Sequence, residues 1–109
     1  MSKNLTRAER MAVLERDGFR CVRCGRSIYG CMYSIHHRRM RSHAWSGLNK
    51  PENLITLCGS GTTGCHGWVH AHPAEAYETG YLVHAYDYPE NIPLNDYTGR
   101  RKQLHLHEN

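Results

Sequence analysis

Aliphatic and phenylalanine side chains, which build most hydrophobic cores, are scarce in this chain. Leu, Ile, Val and Phe together account for 18 of the 109 residues, below the roughly 20% at which a chain looks unable to form an ordinary core. No apolar run approaches the roughly 18–20 residues that cross a membrane, and the polar residues 1–10 lack the apolar stretch of a signal peptide. We therefore expect a small cytoplasmic protein with no membrane partner, and the composition excludes a large enzyme and a coiled coil.

Histidine and cysteine are what the chain has in excess, with 9 His and 5 Cys. The net charge of +4 is too modest for ordinary disorder, which pairs few aliphatic residues with high net charge. A short chain with a poor core usually needs a metal or disulfides to fold. Because an odd number of cysteines in a reducing compartment suits disulfides poorly, the composition favours one small domain stabilised by metal.

Two cysteine pairs have the spacing of metal ligands. The first is a C-x2-C turn with Gly25 directly after it, and the second pair encloses the glycine-rich insert Gly59–Gly64. The sequence predicts one structural zinc ion held by four thiolates, those of Cys21, Cys24, Cys58 and Cys65. We expect Cys31 to pack as a small apolar side chain, and it is the substitute ligand if Cys58 or Cys65 does not bind.

Four histidines form a second pattern. His36 and His37 follow alternating residues typical of a strand, so their side chains point to opposite faces and are suited to different tasks. One of them can bind a metal while the other holds or deprotonates a water. His66 and His70 are four residues apart and share one face of a helix, where they could chelate one ion.

The pattern of elements predicts an α+β fold in one domain. Residues 1–20 form an N-terminal helix in which Thr6 and Glu9 make a capping box. Residues 21–72 form the metal-binding core. Residues 73–109 supply a C-terminal helix, a short strand at Tyr81–His84 and an extended tail.

Four segments in order resemble the HNH nucleases, and in particular a subgroup with a four-cysteine zinc site that includes small phage-encoded endonucleases. The segments are Cys21-Val22-Arg23-Cys24, Ile35-His36-His37-Arg38-Arg39, Pro51-Glu52-Asn53-Leu54-Ile55-Thr56-Leu57-Cys58 and Cys65-His66-Gly67-Trp68-Val69-His70. They cover about half of the chain. The resemblance implies a ββα-metal fold built around one catalytic divalent ion, and the host cytoplasm as location if the chain is phage-encoded.

The resemblance also implies a role for each matching residue. His36, His66 and His70 would bind the catalytic ion, and His37 would be the general base. Asn53 would bond to the backbone and hold the loop that carries the base. An all-imidazole site suits Mn, Ni, Co or Zn as well as Mg, so the expected cofactors are a structural zinc and one of these divalent metals.

The expected activity is hydrolysis of DNA phosphodiester bonds, by nicking or by cutting both strands. Three arginines beside the base, Arg38, Arg39 and Arg41, are expected to contact DNA phosphates. One alternative is a non-catalytic, zinc-ribbon-like module that binds nucleic acid. Another is an accessory subunit of a phage DNA-packaging machine, with terminase subunits as partners.

Overall fold

A two-stranded antiparallel hairpin organises the fold, and helices pack against it. The computed structural model describes residues 5–40 and 45–104. Its helices and strands, in chain order, are α1 (Arg7–Arg16), β1 (Tyr33–His37), β2 (Leu54–Cys58), α2 (Gly64–Ala71), α3 (Pro73–Thr79), β3 (Leu94–Asn95) and β4 (Arg101–Lys102). The α+β class is confirmed, as is a hairpin followed by a helix. None of the described helices is long and apolar enough to cross a membrane.

The central hairpin pairs β1 with β2 in a register that runs from Tyr33 opposite Cys58 to His37 opposite Leu54. Its long connection ends in the 3-10 turn Pro51–Asn53. All five residues of β2 are buried because α1 and α2 both pack against this strand. The scarce aliphatic side chains are therefore concentrated where two helices and a strand meet.

Helix α1 begins with the predicted capping box. The Thr6 hydroxyl oxygen accepts a hydrogen bond from the Glu9 backbone N–H at 3.0 Å, and the Glu9 carboxylate accepts one from the Thr6 N–H at 2.8 Å. Within α1, the Val13 side chain is buried. At the other end of α1, the Arg16 guanidinium donates to the Pro51 carbonyl at 2.8 Å, so the helix is tied to the turn that precedes β2.

The strand predicted at Tyr81–His84 is absent. Gly80 ends α3 with a φ of +92°, and the chain then makes one backbone hydrogen bond to the hairpin side, from the Val83 N–H to the Arg38 carbonyl at 2.9 Å. Tyr81, Leu82 and Val83 are nevertheless buried, and the first two belong to the main core. The apolar residues at Tyr81–His84 therefore indicate burial correctly, but they do not indicate the backbone conformation.

The C-terminal region is more ordered than the extended tail that the sequence predicts. β3 and β4 form a short antiparallel hairpin in which Leu94 pairs with Lys102. Leu94 and Leu104 are 0% and 3% exposed and belong to the main core. The region is folded where an extended tail is predicted because burial of these two leucines ties both sides of the hairpin to the rest of the domain.

Arg38 is a structural residue, and the prediction that it contacts DNA is wrong. Its side chain is 0% exposed. Burial lowers the pKa of Arg38 to about 10, which still leaves it charged at neutral pH. The guanidinium donates to four backbone carbonyls, those of Gly80 (2.7 Å), Glu52 (2.8 Å), Ile92 (2.5 Å) and Pro89 (3.3 Å). It thereby joins three separate segments of chain and is turned away from solvent.

Replacing Arg38 should therefore lower the stability of the fold. We expect Arg38→Ala to lower the free energy of unfolding by about 3 kcal/mol or more, because buried carbonyls lose charge-assisted hydrogen bonds. Urea denaturation followed by circular dichroism measures this, with the half-buried neighbour Arg39→Ala as control. Equal stability of the two variants, or weaker DNA binding by a fully stable Arg38→Ala protein, would contradict the assignment.

Candidate metal centres

The four predicted zinc ligands converge on one point. The sulfur atoms of Cys21, Cys24, Cys58 and Cys65 all lie within 4.8 Å of one another. All four are free thiols, and the Cys24 and Cys58 sulfurs are 3.8 Å apart. Sulfurs bound at about 2.3 Å to a tetrahedral zinc ion lie about 3.8 Å from each other. The cluster therefore has the donor set and the size of a structural zinc site.

Electrostatics of the thiols fit the same interpretation. Burial raises the pKa of Cys21 and of Cys65, so these thiols hold their protons unless a cation compensates. The pKa of Cys24 is lowered. Burial opposes ionisation there too, but hydrogen bonds from the Arg26 backbone and the neighbouring thiols outweigh it. A bound divalent cation would supply the charge that offsets the burial of Cys21 and Cys65.

The six-residue insert between Cys58 and Cys65 closes into a tight loop, which brings the two cysteines together. Gly59 and Gly64 have φ values of +87° and +61°, and a Cβ on Gly59 would lie 2.1 Å from the Thr63 carbonyl oxygen. Glycine is therefore required at the base of the loop. The closed loop lets the Cys65 N–H donate to the Cys58 sulfur at 3.4 Å.

Two contacts around the thiols were not foreseen from the sequence. The Arg23 guanidinium donates to the Cys65 sulfur at 3.4 Å and lies 3.7 Å from the centroid of the Trp68 ring. A cation next to a sulfur is the kind of outer contact that supports metal-bound thiolates.

Cys31 lies outside the cluster and packs, half-buried, against the core, as predicted for it.

Three of the four histidines form a second cluster. The nitrogens that His36, His66 and His70 offer lie within 4.8 Å of one another, and the Nε2 atoms of His66 and His70 are 3.2 Å apart. Imidazole nitrogens bound at about 2.0–2.1 Å to one ion lie about 3.0–3.4 Å apart. β1 supplies the first ring and α2 the other two, so the cluster depends on the packing of α2 against the hairpin.

The surroundings of His36 favour metal binding by its ring. The ring is 3% exposed, and its Nε2–H donates to the Tyr81 carbonyl at 2.8 Å, which leaves the other nitrogen as the ligand atom. Burial lowers the pKa of His36 to about 3, against the raising effect of that carbonyl, and the neighbouring His66 and His70 lower it further. The ring is therefore neutral at neutral pH, the form that binds metals.

His66 carries a polar atom that protein contacts do not satisfy. Its Nδ1 is buried and has no hydrogen-bond partner among the described residues, while its Nε2 faces His70. Burial lowers the pKa of His66, with a further contribution from His70. Two neutral rings facing each other through Nε2 share one hydrogen bond at most, whereas a cation would accept a lone pair from both.

His37 lies on the other face of β1, as strand alternation predicts. Its ring is half-buried, and the Nε2–H donates to the Asn49 side-chain oxygen at 2.9 Å. This contact fixes the orientation of the ring. Asn49 carries no motif signal, because it is brought to His37 only by the folding of the long hairpin connection.

Asn53 makes the backbone contacts expected of it. Its side chain is 0% exposed, accepts from the Arg39 N–H at 2.6 Å, and donates to the Leu48 carbonyl at 2.8 Å and the Arg39 carbonyl at 3.2 Å. The Asn53 carbonyl accepts from the Arg38 N–H at 2.8 Å. One amide thus fixes the chain just after His37 to the returning loop.

The structure describes one of the two other arginines that are predicted to contact DNA. Arg39 is half-buried, with its guanidinium 4.0 Å from the centroid of the Trp45 ring and 3.5 Å from the Asp87 carbonyl. Arg41 lies outside the described residues. Of the two arginines that the structure describes, Arg39 is therefore the one that lies beside the site and is partly open to solvent.

Comparison with known proteins adds no family to these observations: no protein-family model, no curated protein and no solved structure matches the chain. The assignment of chemistry consequently depends on the two clusters themselves.

The thiol cluster predicts one tightly held zinc ion per chain. We expect Cys24→Ser to lose the zinc and to unfold at lower temperature, because structural zinc binding contributes directly to folding. Cys31→Ser is the matched control and should keep the metal. Elemental analysis and thermal denaturation measure both effects, and loss of zinc from Cys31→Ser but not from Cys24→Ser would refute the ligand set.

The histidine cluster predicts a second, weaker divalent site. In zinc-loaded protein, His70→Ala should weaken Ni²⁺ or Mn²⁺ binding by more than the roughly 10–100-fold that loss of an outer contact costs, since a direct ligand is removed. Isothermal titration calorimetry measures the affinity, with the exposed His72→Ala as control. Equal affinities for the two variants would show that His70 is no ligand.

Proposed function

We propose that this chain is a metal-dependent endonuclease of the HNH type, with a ββα-metal core, that hydrolyses DNA phosphodiester bonds. The observation that carries the proposal is the convergence of His36 from the hairpin with His66 and His70 from the helix that follows it. A zinc module needed only for folding has no use for this second donor set. The order of hairpin, helix and four-thiol cluster supports the same function.

A divalent ion held by the three imidazoles would act as a Lewis acid on the phosphate and on the departing oxygen. The residues around it have separate tasks. The Tyr81 carbonyl keeps the His36 ring in one tautomer and one orientation. Burial keeps the pKa of His36 low, so protons do not compete for this ligand at neutral pH.

His37 is the proposed general base. In-line attack on phosphorus needs a water that loses its proton, and an imidazole titrates in a range that allows this near neutral pH. The Asn49 oxygen accepts a hydrogen bond from Nε2–H, so the lone pair of the neutral ring is on Nδ1. Asn49 and Asn53 are positioning residues, because one orients the ring and the other fixes the backbone after it.

Arg39 is the proposed phosphate contact nearest to the base. Its backbone is held by Asn53, and its guanidinium lies against Trp45, which limits the positions of the side chain. An arginine at a phosphate fixes the DNA register without reading sequence. We accordingly propose cleavage with little sequence preference.

His37→Ala tests the proposal most simply. We expect cleavage of supercoiled plasmid to fall at least about 100-fold, the usual contribution of a general base. Zinc content, thermal midpoint and affinity for duplex DNA should be unchanged, because the ring lies on the opposite face of β1 from the histidine cluster. His72→Ala, an exposed histidine outside both clusters, should cut at the rate of the unmodified protein.

The assays are run with Mg²⁺, Mn²⁺, Co²⁺ and Ni²⁺ in turn. Undiminished cleavage by His37→Ala would refute its role as base. Absence of cleavage by the unmodified protein with every metal would instead favour a non-catalytic, zinc-stabilised nucleic-acid-binding module.

A further inference from the structure

Basic side chains are concentrated on the first cysteine turn and the C-terminal hairpin. Residues 20–26 and 94–102 contain six of the chain's 14 Lys and Arg residues but only one of its 10 Asp and Glu residues. The cations are Arg20, Arg23, Arg26, Arg100, Arg101 and Lys102. We call these two segments together the knuckle–hairpin surface. They are far apart in sequence, so their charges act together only if the fold brings them together.

Direct contacts join the two segments. The Tyr97 N–H donates to the Val22 carbonyl at 2.8 Å, and the Tyr97 ring packs so closely on Gly25 that a Cβ there would lie 2.8 Å from it. The Arg20 guanidinium folds over the same turn and donates to the Gly25 carbonyl at 2.8 Å. The hairpin therefore sits on the cysteine turn, and the two groups of cations form one surface.

The single carboxylate on this surface is already neutralised. Asp96 accepts hydrogen bonds from the Thr98 and Arg100 backbone N–H groups at 2.9 and 3.3 Å, and its other oxygen lies 3.5 Å from the Lys102 ammonium. These contacts also fix the turn that presents Arg100 and Arg101. Four exposed arginines remain without an ion pair to any described residue, namely Arg20, Arg26, Arg100 and Arg101.

The knuckle–hairpin surface adjoins the histidine cluster. Arg23 of the cysteine turn donates to the Cys65 sulfur, and Cys65 directly precedes His66 in the first turn of α2. A polyanion bound across the surface would thus run toward the proposed site of hydrolysis. Of the two described arginines that follow the base, Arg38 is buried and the guanidinium of Arg39 is partly covered by the Trp45 ring.

We infer that the knuckle–hairpin surface binds the phosphate backbone of duplex DNA beside the bond that is cut. This inference rests on the proposed function and names a substrate contact outside the residues that the motifs predict. Arginine forks match phosphate oxygens. An acidic protein is the less favoured partner because protein interfaces need an apolar centre, and Tyr97 is the one large exposed apolar side chain of these two segments.

The test measures the salt dependence of binding in a form that cannot cut. Zinc-loaded His37→Ala protein is titrated onto a fluorescent 30-base-pair duplex, by anisotropy, from about 50 to 200 mM salt. The test variant adds Arg100→Gln and Arg101→Gln. The matched control instead adds Arg7→Gln and Arg10→Gln, which remove the same charge from exposed residues in the first turn of α1.

We expect the hairpin variant to lower the slope of log affinity against log salt by about 2, since each lost phosphate contact lowers it by about 0.9. The control should keep the slope and affinity of its parent. Equal losses in both variants would show a net-charge effect only and would overturn the inference, as would no loss in either. Equally tight competition by polyglutamate would overturn the assignment to DNA.

Failure of the two proposals can be told apart. If the unmodified protein cuts DNA and the hairpin substitutions leave both its KM and its salt slope unchanged, the surface assignment fails while the nuclease stands. If the unmodified protein does not cut but the hairpin substitutions lower the slope as expected, the nuclease fails while the DNA-binding surface stands.

Discussion

Cys65 and His66 are consecutive residues in the first turn of α2, and this adjacency joins the two candidate metal centres. The first belongs to the thiol cluster and the second to the histidine cluster. A distortion that moved the Cys65 thiol would also disturb His66, because one peptide bond joins the two residues in the same helical turn. A metal in the thiol cluster would therefore stabilise the fold and also place the helix that carries two of the three imidazoles.

The scarcity of aliphatic residues is offset by buried polar groups that connect distant segments. Arg38 joins the end of β1 to the 3-10 turn and to the segments after α3, while Asn53 joins the same strand end to the long connection. Such groups are stable inside a protein only when their hydrogen bonds are satisfied, and all of these are. The base candidate His37 directly precedes Arg38 and pairs with Leu54, the residue after Asn53, so these buried contacts fix the backbone on both sides of it.

Much of the site could be predicted from ligand spacing, because metal binding restricts residue type and separation more strongly than packing does. The thiol set and the pairing of His66 with His70 were accessible in this way, whereas the grouping of His36 with them and the contacts of Asn53 were expected only from the resemblance to HNH nucleases. The role of Arg38 was not accessible, although strand alternation places it on the same face as the buried His36. Its partners are backbone carbonyls, which leave no trace in sequence. The same holds for the Tyr81 carbonyl on His36 and, through the fold of a long loop, for Asn49. The C-terminal hairpin was missed because two-residue strands carry too short a pattern to recognise.

We propose that this small chain holds two different metal centres, one of thiolates for folding and one of imidazoles for hydrolysis. Anomalous X-ray diffraction from crystals of zinc-loaded protein soaked in Mn²⁺ would test it most directly. Data collected on both sides of the zinc and manganese absorption edges should show zinc among Cys21, Cys24, Cys58 and Cys65, and manganese bound by His36, His66 and His70. A single metal peak, or manganese bound away from the three histidines, would contradict the account.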